Sequence, residues 1–196
     1  MLAFLLGAGA GIALGVVARI VETSRLALGP YAFYGNGALI VPALGSGLAL
    51  YALWTWAFRA GRPRIDLLWS ALGVHLGLGA GLFATGGTSL AGVFFTGVLF
   101  VLPAALVAFI VLTVLEPRLA ASLGGPRTNA LLLTALVVAG LFLAVVPFPP
   151  LGIGLITGAF TSLGRRATPG ATIGLGALLV VVLLAAGLAV PLLFMR

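Results

Sequence analysis

Cysteine is absent from the 196 residues, and its absence excludes disulfides, thiol redox chemistry and cysteine-ligated metal sites. Lysine is absent too, so all ten basic residues are arginine, set against three acids and one histidine. A single histidine cannot hold a haem between two imidazoles or build a histidine-rich metal cluster, and neither a metal nor a cofactor is expected. Charge of either sign is the scarcest commodity. Only 7% of the residues are charged, whereas a soluble domain carries about a quarter so that its surface can face water.

With 62% of the residues hydrophobic, the solvent for most of the surface has to be lipid, where apolar side chains face outward at no cost. The expected class is an all-α polytopic integral membrane protein forming a single domain over 1–196, in the cell membrane and surrounded by membrane lipids. The net charge of +7 would otherwise suggest nucleic acid, but the arginines stand singly or in small groups between apolar runs and form no basic face, so no nucleic-acid partner is expected. The first apolar run, MLAFLLGAGAGIALGVVARIV, has no basic residue ahead of it, which reads as a retained helix rather than a cleaved signal peptide.

Charges mark where the chain leaves the hydrocarbon. Uncharged stretches cover residues 1–18 and 26–58, then the 49 residues between Asp66 and Glu116, then the 37 between Arg127 and Arg165. At about 20 residues per helix the two longest stretches each hold two spans. ATGGTS (84–89) supplies the turn in the first, and Pro147-Phe148-Pro149-Pro150 supplies it in the second. With 167–195 as the last span, the sum is seven.

Arginines 59, 62, 64, 118, 127, 165 and 166 follow the second, fourth and sixth spans, and the loops after the third and fifth carry none. By the positive-inside rule the N-terminus is cytoplasmic and the C-terminus outside. Tyr31, Tyr34, Trp54, Trp56 and Trp69 fall near span ends, where amphipathic rings meet the headgroup layers. Two spans read as irregular. Gly35-Asn36-Gly37, Pro42 and Gly45-Ser46-Gly47 predict a kinked or locally unwound second span, and 151–164 is only about 21 Å long, so it is a short crossing or a re-entrant segment.

Glycine recurs every four residues at Gly7/Gly11/Gly15 and Gly73/Gly77/Gly81, and more briefly at Gly154/Gly158 and Gly170/Gly174. This glycine-zipper spacing grooves one helix face and lets backbones approach closely, in place of the hydrophobic drive that lipid does not supply. An internal echo links Glu22-Thr-Ser-Arg25-Leu-Ala-Leu-Gly-Pro30 with Glu116-Pro-Arg118-Leu-Ala-Ala-Ser-Leu-Gly-Gly-Pro126. It implies a 3+3 inverted repeat with one helix appended, a common ground plan of transporters.

Four residues stand out as ligand or pathway candidates. His75 is the deepest ionisable side chain, some nine residues into the third span, where it either acts in a pathway or is a neutral imidazole bonded to a neighbouring helix. Asn36 lies in the glycine-broken stretch, where broken helices expose backbone to cavities. Glu116 ends the fourth span beside Pro117 and Arg118, as an interfacial acid paired with arginine or, less simply, a coupling acid. Ser46 lies 13 residues from Arg59 and His75 lies 11 from Arg64, giving similar depths of about 20 and 16 Å.

The strings LGSGLA and VHLGLGAGL around Ser46 and His75 resemble the serine and histidine segments of rhomboid intramembrane proteases. The resemblance covers these two strings and implies a Ser46–His75 dyad, which requires hydrogen-bond contact and an oxyanion hole. Rhomboids place a further helix between the two segments, whereas one loop separates them here. No other catalytic pattern is present: there is no P-loop, no HExxH and no pair of acids within a span.

The leading expectation is a transporter, channel or permease component for a small neutral or lipophilic substrate, with its pathway between the two three-helix halves. The alternative is a non-catalytic subunit that anchors or completes a larger membrane complex. Besides membrane lipids, the partners expected are other membrane subunits or further copies of the chain in a homo-oligomer. An intramembrane enzyme using Ser46 and His75 ranks third.

Overall fold

A computed structural model of the chain describes residues 1–23, 37–86, 101–123, 130–131, 134–141 and 149–194, with side chains outside 22–23, 37–43, 123, 149 and 186–194. Every regular element among them is helical: α1 (Leu2–Thr23), α2 (Gly37–Arg59), α3 (Ile65–Ala84), α4 (Leu102–Ile110), a π-helical turn (Val111–Leu115), α5 (Glu116–Leu123), α6 (Pro149–Gly164) and α7 (Pro169–Phe194). Residues 134–141 are also helical. Three stretches, Leu2–Val21, Ile65–Ala84 and Leu102–Ser122, are long and apolar enough to cross a membrane.

Proline and glycine set several boundaries. Pro149-Pro150 and Pro169 each stand in a first helical turn, where the missing N–H has no intrahelical partner to lose. Gly61, at φ +61°, ends α2 in a Schellman turn: Arg62 N–H donates to Ala57 O at 2.9 Å and Gly61 N–H donates to Phe58 O at 3.2 Å. Gly86, at φ +68°, turns the chain after α3, within the ATGGTS segment.

Two expectations about local structure are corrected. The second helix is not unwound over the described residues: α2 is helical from Gly37 through Pro42 and Gly45-Ser46-Gly47. Pro42 removes a single hydrogen bond, to Ala38, close to the helix start. The two glycines serve close approach instead, since a Cβ on Gly45 would run into the Leu14 side chain and one on Gly47 would meet Thr157 Oγ1 at 3.0 Å. The fourth helix does not end at Glu116 either. Pro117 has no N–H to donate to the carbonyl four residues back, and the helix widens ahead of it into the π turn, with Glu116 N–H donating to Val111 O, and then continues as α5.

Glycine contacts fix the helix directions. On α1, Gly7 faces Ser70, Gly11 faces Val74 and Leu78, and Gly15 faces Leu78 and Leu82, so α1 and α3 are parallel with their backbones touching. The fit is reciprocal, because a Cβ on Gly81 would lie 2.5 Å from Ile12 O and one on Gly73 would lie 2.9 Å from Ala8 N. In the same way Gly154 faces Ala104 and Gly158 faces Val111, so α4 and α6 are parallel. Gly170 and Gly174 differ. Nothing lies within 4 Å of a Cβ at either, so this pair, expected to pack tightly, faces outward.

Trp54 Nε1 donates to Leu67 O at 3.1 Å and to Ser70 Oγ at 3.0 Å, tying α2 antiparallel to α3. Trp54 is fully buried, so it staples helices together rather than meeting the headgroup layer. Leu136 clusters with Val111 and Ala159 while Gly140 faces Gly152 and Ile156, which runs 134–141 antiparallel to α6. Gly47 meets Ile153, Thr157 and Leu183 while Gly164 and Gly176 meet Tyr51, so α2 runs parallel to α6 and antiparallel to α7. With α4, the π turn and α5 taken as one continuous helix, successive helices among the described residues therefore alternate in direction, with α2 in the middle. One buried cluster joins Leu50 and Trp54 to Leu67, Ala71, Ala105 and Leu112 on α3, α4 and the π turn, and another joins Tyr51 to Ile156, Phe160, Leu179 and Leu183 on α6 and α7.

Candidate functional site

The C-terminal ends of α2 and α6, the N-terminal ends of α3 and α7, and the start of α5 meet at one end of the bundle, and polar chemistry gathers there. Arg59 is the clamp. Its Nη2 donates to Gly164 O at 2.9 Å and also to Ala167 O and Thr172 Oγ1, tying α2 to the α6–α7 turn. Carbonyls at a helix end have no intrahelical donor, and a guanidinium is a fitting partner for them. Tyr51, one face further along α2, donates its hydroxyl to Thr172 O at 2.8 Å.

Glu116 is 1% exposed and accepts at Oε1 from Nη2 of both Arg165 and Arg166. Its partners are thus on α6's C-terminal turn and not its neighbour Arg118. The Arg165 guanidinium also stacks 4.9 Å from the Phe58 ring centroid on α2, and Arg62 sits 5.6 Å from that of Trp56. A carboxylate this deeply buried requires such pairing, because an isolated one would cost several kcal/mol, on the order of the desolvation penalty of a single ion. Held by two arginines at the bundle end, it is a structural tie between the fourth and sixth helices.

Ser46 and His75 are both buried, at 0% and 5% exposure. Ser46 lies two turns from Trp54 on the α2 face that also carries Leu50, and His75 lies one turn beyond Ala71 on the α3 face packed against it. With Trp54 level with Leu67 and Ser70, the two residues sit within about one helical turn of the same height. Glu116 is at the arginine end, well away from both. Asn36 lies outside the described residues.

Residues that the sequence did not single out carry the least expected feature. Thr55 on α2 and Thr157 and Ser162 on α6 bury their hydroxyls with no hydrogen-bond partner among the described residues. Thr161, Thr113 and Thr172 instead bond back to the carbonyl four residues earlier, the usual arrangement for a buried helical threonine. Thr157 lies against Gly47, and Thr55 lies against Gly164, so both face the seam between α2 and α6. The string ITGAFTSLG, three hydroxyls in an apolar run, was the signal available for α6. Thr55, between two tryptophans, gave none.

Beside this seam, Leu48, Tyr51, Ala52 and Thr55 on α2 and Thr172, Ile173 and Gly176 on α7 line a groove of about 550 Å³ with Arg59 at its end. A shallow apolar depression of about 490 Å³, open to the outside, lies along Leu131, Thr134, Ala135, Val138 and Ala139. Neither is lined by His75 or Ser46. Compared with protein-family models, with curated proteins and with solved structures, the chain matches none.

Proposed function

We propose that the chain is a multi-pass membrane protein that crosses the bilayer seven times, with its N-terminus and arginine end in the cytoplasm and its C-terminus outside, and that it works as a permease or channel component for a small neutral or lipophilic substrate. Alternating helix direction supports the seven crossings. The shared end of Arg59, Arg62, Arg165 and Arg166 supports a full crossing by α6, since re-entry would send Arg165 and Arg166 to the other side. The two parallel, glycine-packed pairs, α1 with α3 and α4 with α6, run in opposite directions and support the inverted 3+3 plan.

The observation that carries the transport reading is the pair of unpartnered hydroxyls, Thr55 and Thr157, on the seam between the two halves. A buried hydroxyl without a partner costs about 1–3 kcal/mol, and a pathway that admits water or substrate supplies the missing partner. A neutral substrate is favoured because Glu116, the buried acid among the described residues, has its Oε1 tied to two arginines, while its Oε2 has no partner among those residues. Because the chain has no cysteine, Thr157→Cys and Thr55→Cys can be probed singly in native membranes with a small water-soluble methanethiosulfonate. Modification of both is the expected result, and complete protection of both would mean a sealed core and end the transport reading.

The non-catalytic subunit remains the second reading, favoured by Gly170 and Gly174 facing outward beside Ile173, which is 76% exposed. Such a small-residue face suits a neighbouring transmembrane helix. Native mass spectrometry of gently extracted protein separates the two: a stoichiometric partner chain favours the subunit, and a lone chain or homo-oligomer favours transport. The third reading, an enzyme using Ser46 and His75, rests on their shared height and would be removed by unchanged activity in Ser46→Ala.

A further inference from the structure

We infer that the groove between α2 and α7 is a binding site for one anionic phospholipid, its headgroup phosphate at Arg59 and an acyl chain lying along Ala52, Leu48 and Gly176. The inference rests on the membrane placement proposed above. Two features of the groove point to this occupant.

The first is length. Leu48 and Arg59 are 11 positions apart, or about 16 Å along the helix, which matches one leaflet of a hydrocarbon core about 30 Å thick. The groove thus begins where headgroups lie and ends near the bilayer midplane, and its walls grade from Arg59 and Thr172 at the mouth to Leu48, Ala52 and Gly176 within.

The second is charge. All the hydrogen bonds that the described residues give Arg59 fall on Nη2, and these hold the guanidinium in place across the α6–α7 turn. Nε and Nη1 keep their donors for an anion, and a guanidinium already anchored loses little freedom in binding a phosphate.

Trp56 also lines the groove and provides the readout. A Trp69→Phe variant removes the exposed tryptophan and leaves Trp54, fully enclosed, as a constant background. The protein is reconstituted into phosphatidylcholine vesicles with rising fractions of bromine-labelled phosphatidylglycerol, and in parallel with bromine-labelled phosphatidylcholine. We expect the anionic lipid to quench Trp56 with a relative binding constant about fivefold above the zwitterionic one, the worth of a single arginine near the surface.

That preference should fall to near unity in Arg59→Gln, and equally in Ala52→Phe, which fills the groove from an exposed position and leaves the clamp intact. If Arg59→Gln does not fold, Ala52→Phe decides. Equal quenching by the two lipids overturns the inference, as does a preference that survives Ala52→Phe. Absence of quenching by either lipid overturns it as well, by removing the membrane placement beneath it.

Discussion

Adding one methyl group to α3 at Gly77 should destabilise the protein, and adding the same group to α1 at Gly9 should stabilise it. A Cβ on Gly77 would stand 2.8 Å from both the Cα and the carbonyl carbon of Ala8. Carbon atoms rest at about 3.5–4.0 Å, so the overlap is on the order of 1 Å. The obstacle is backbone, which has no rotamer to yield, and relief requires α1 and α3 to part along the stretch from Gly7 to Gly15. A gap of about 0.5–1 Å forfeits a quarter to a half of each dispersion contact it opens. Overpacking of this kind costs about 1–3 kcal/mol, and a rigid obstacle on both sides favours the upper half of that range.

Alanine's better helix propensity returns at most about 1 kcal/mol, leaving Gly77→Ala with a net loss of about 1–2 kcal/mol. Gly9 has nothing within 4 Å, so Gly9→Ala keeps the propensity gain of about 0.5–1 kcal/mol. Reversible unfolding in mixed micelles, followed by circular dichroism, measures both. The Phe4–Trp69 edge-to-face pair, with centroids 6.4 Å apart, spans the same seam and should report its opening in Gly77→Ala through tryptophan emission. If both variants shift stability in the same direction, the α1–α3 contact is not the close backbone seam described above.

Removing both arginines that hold Glu116 should cost more than removing the acid. Arg165→Gln/Arg166→Gln strands a carboxylate that is 1% exposed, for a loss of about 3–5 kcal/mol, whereas Glu116→Gln leaves arginines exposed enough to reach water and costs about 1.5–3 kcal/mol. The same micellar unfolding assay ranks them, and the reverse order would contradict the tie. Trp54→Phe deletes the single indole N–H that Leu67 O and Ser70 Oγ share, and should lower stability by about 0.5–1.5 kcal/mol while leaving helix content in circular dichroism unchanged.

Helices were legible wherever charge placement set them, because excluding charge from apolar surroundings is a local rule. The uncharged runs gave α1, α3 and α7 nearly to their ends, and Pro149-Pro150, expected in a turn, stand at the start of α6, while Pro147 lies outside the described residues. What misled was local chemistry read without a partner. Gly45 and Gly47 look like breakers until Leu14 and Thr157 are seen against them, and Pro117 looks like a terminus until a π turn makes room for it. Gly170 and Gly174 have the same spacing as Gly11 and Gly15, yet only the latter meet a helix, since spacing specifies a groove and not its occupant.

The candidate site was less legible. Glu116 finds its partners 49 and 50 residues away, and Arg59 becomes a clamp only when α6 ends beside α2, neither of which a linear pattern encodes. The unpartnered hydroxyls of Thr55 and Thr157 were invisible for a further reason. Most helical threonines in apolar surroundings satisfy themselves against their own backbone, so only coordinates distinguish the ones that do not.

The most direct test of the membrane architecture is the sidedness of single cysteines, placed at Ala60, Ala167 and Thr85, towards a membrane-impermeant maleimide on intact cells and on inverted vesicles. Ala60→Cys and Ala167→Cys are expected to react only in inverted vesicles and Thr85→Cys only in intact cells. Labelling of Ala60→Cys and Ala167→Cys from opposite faces, or of Thr85→Cys from the same face as Ala60→Cys, would contradict this architecture.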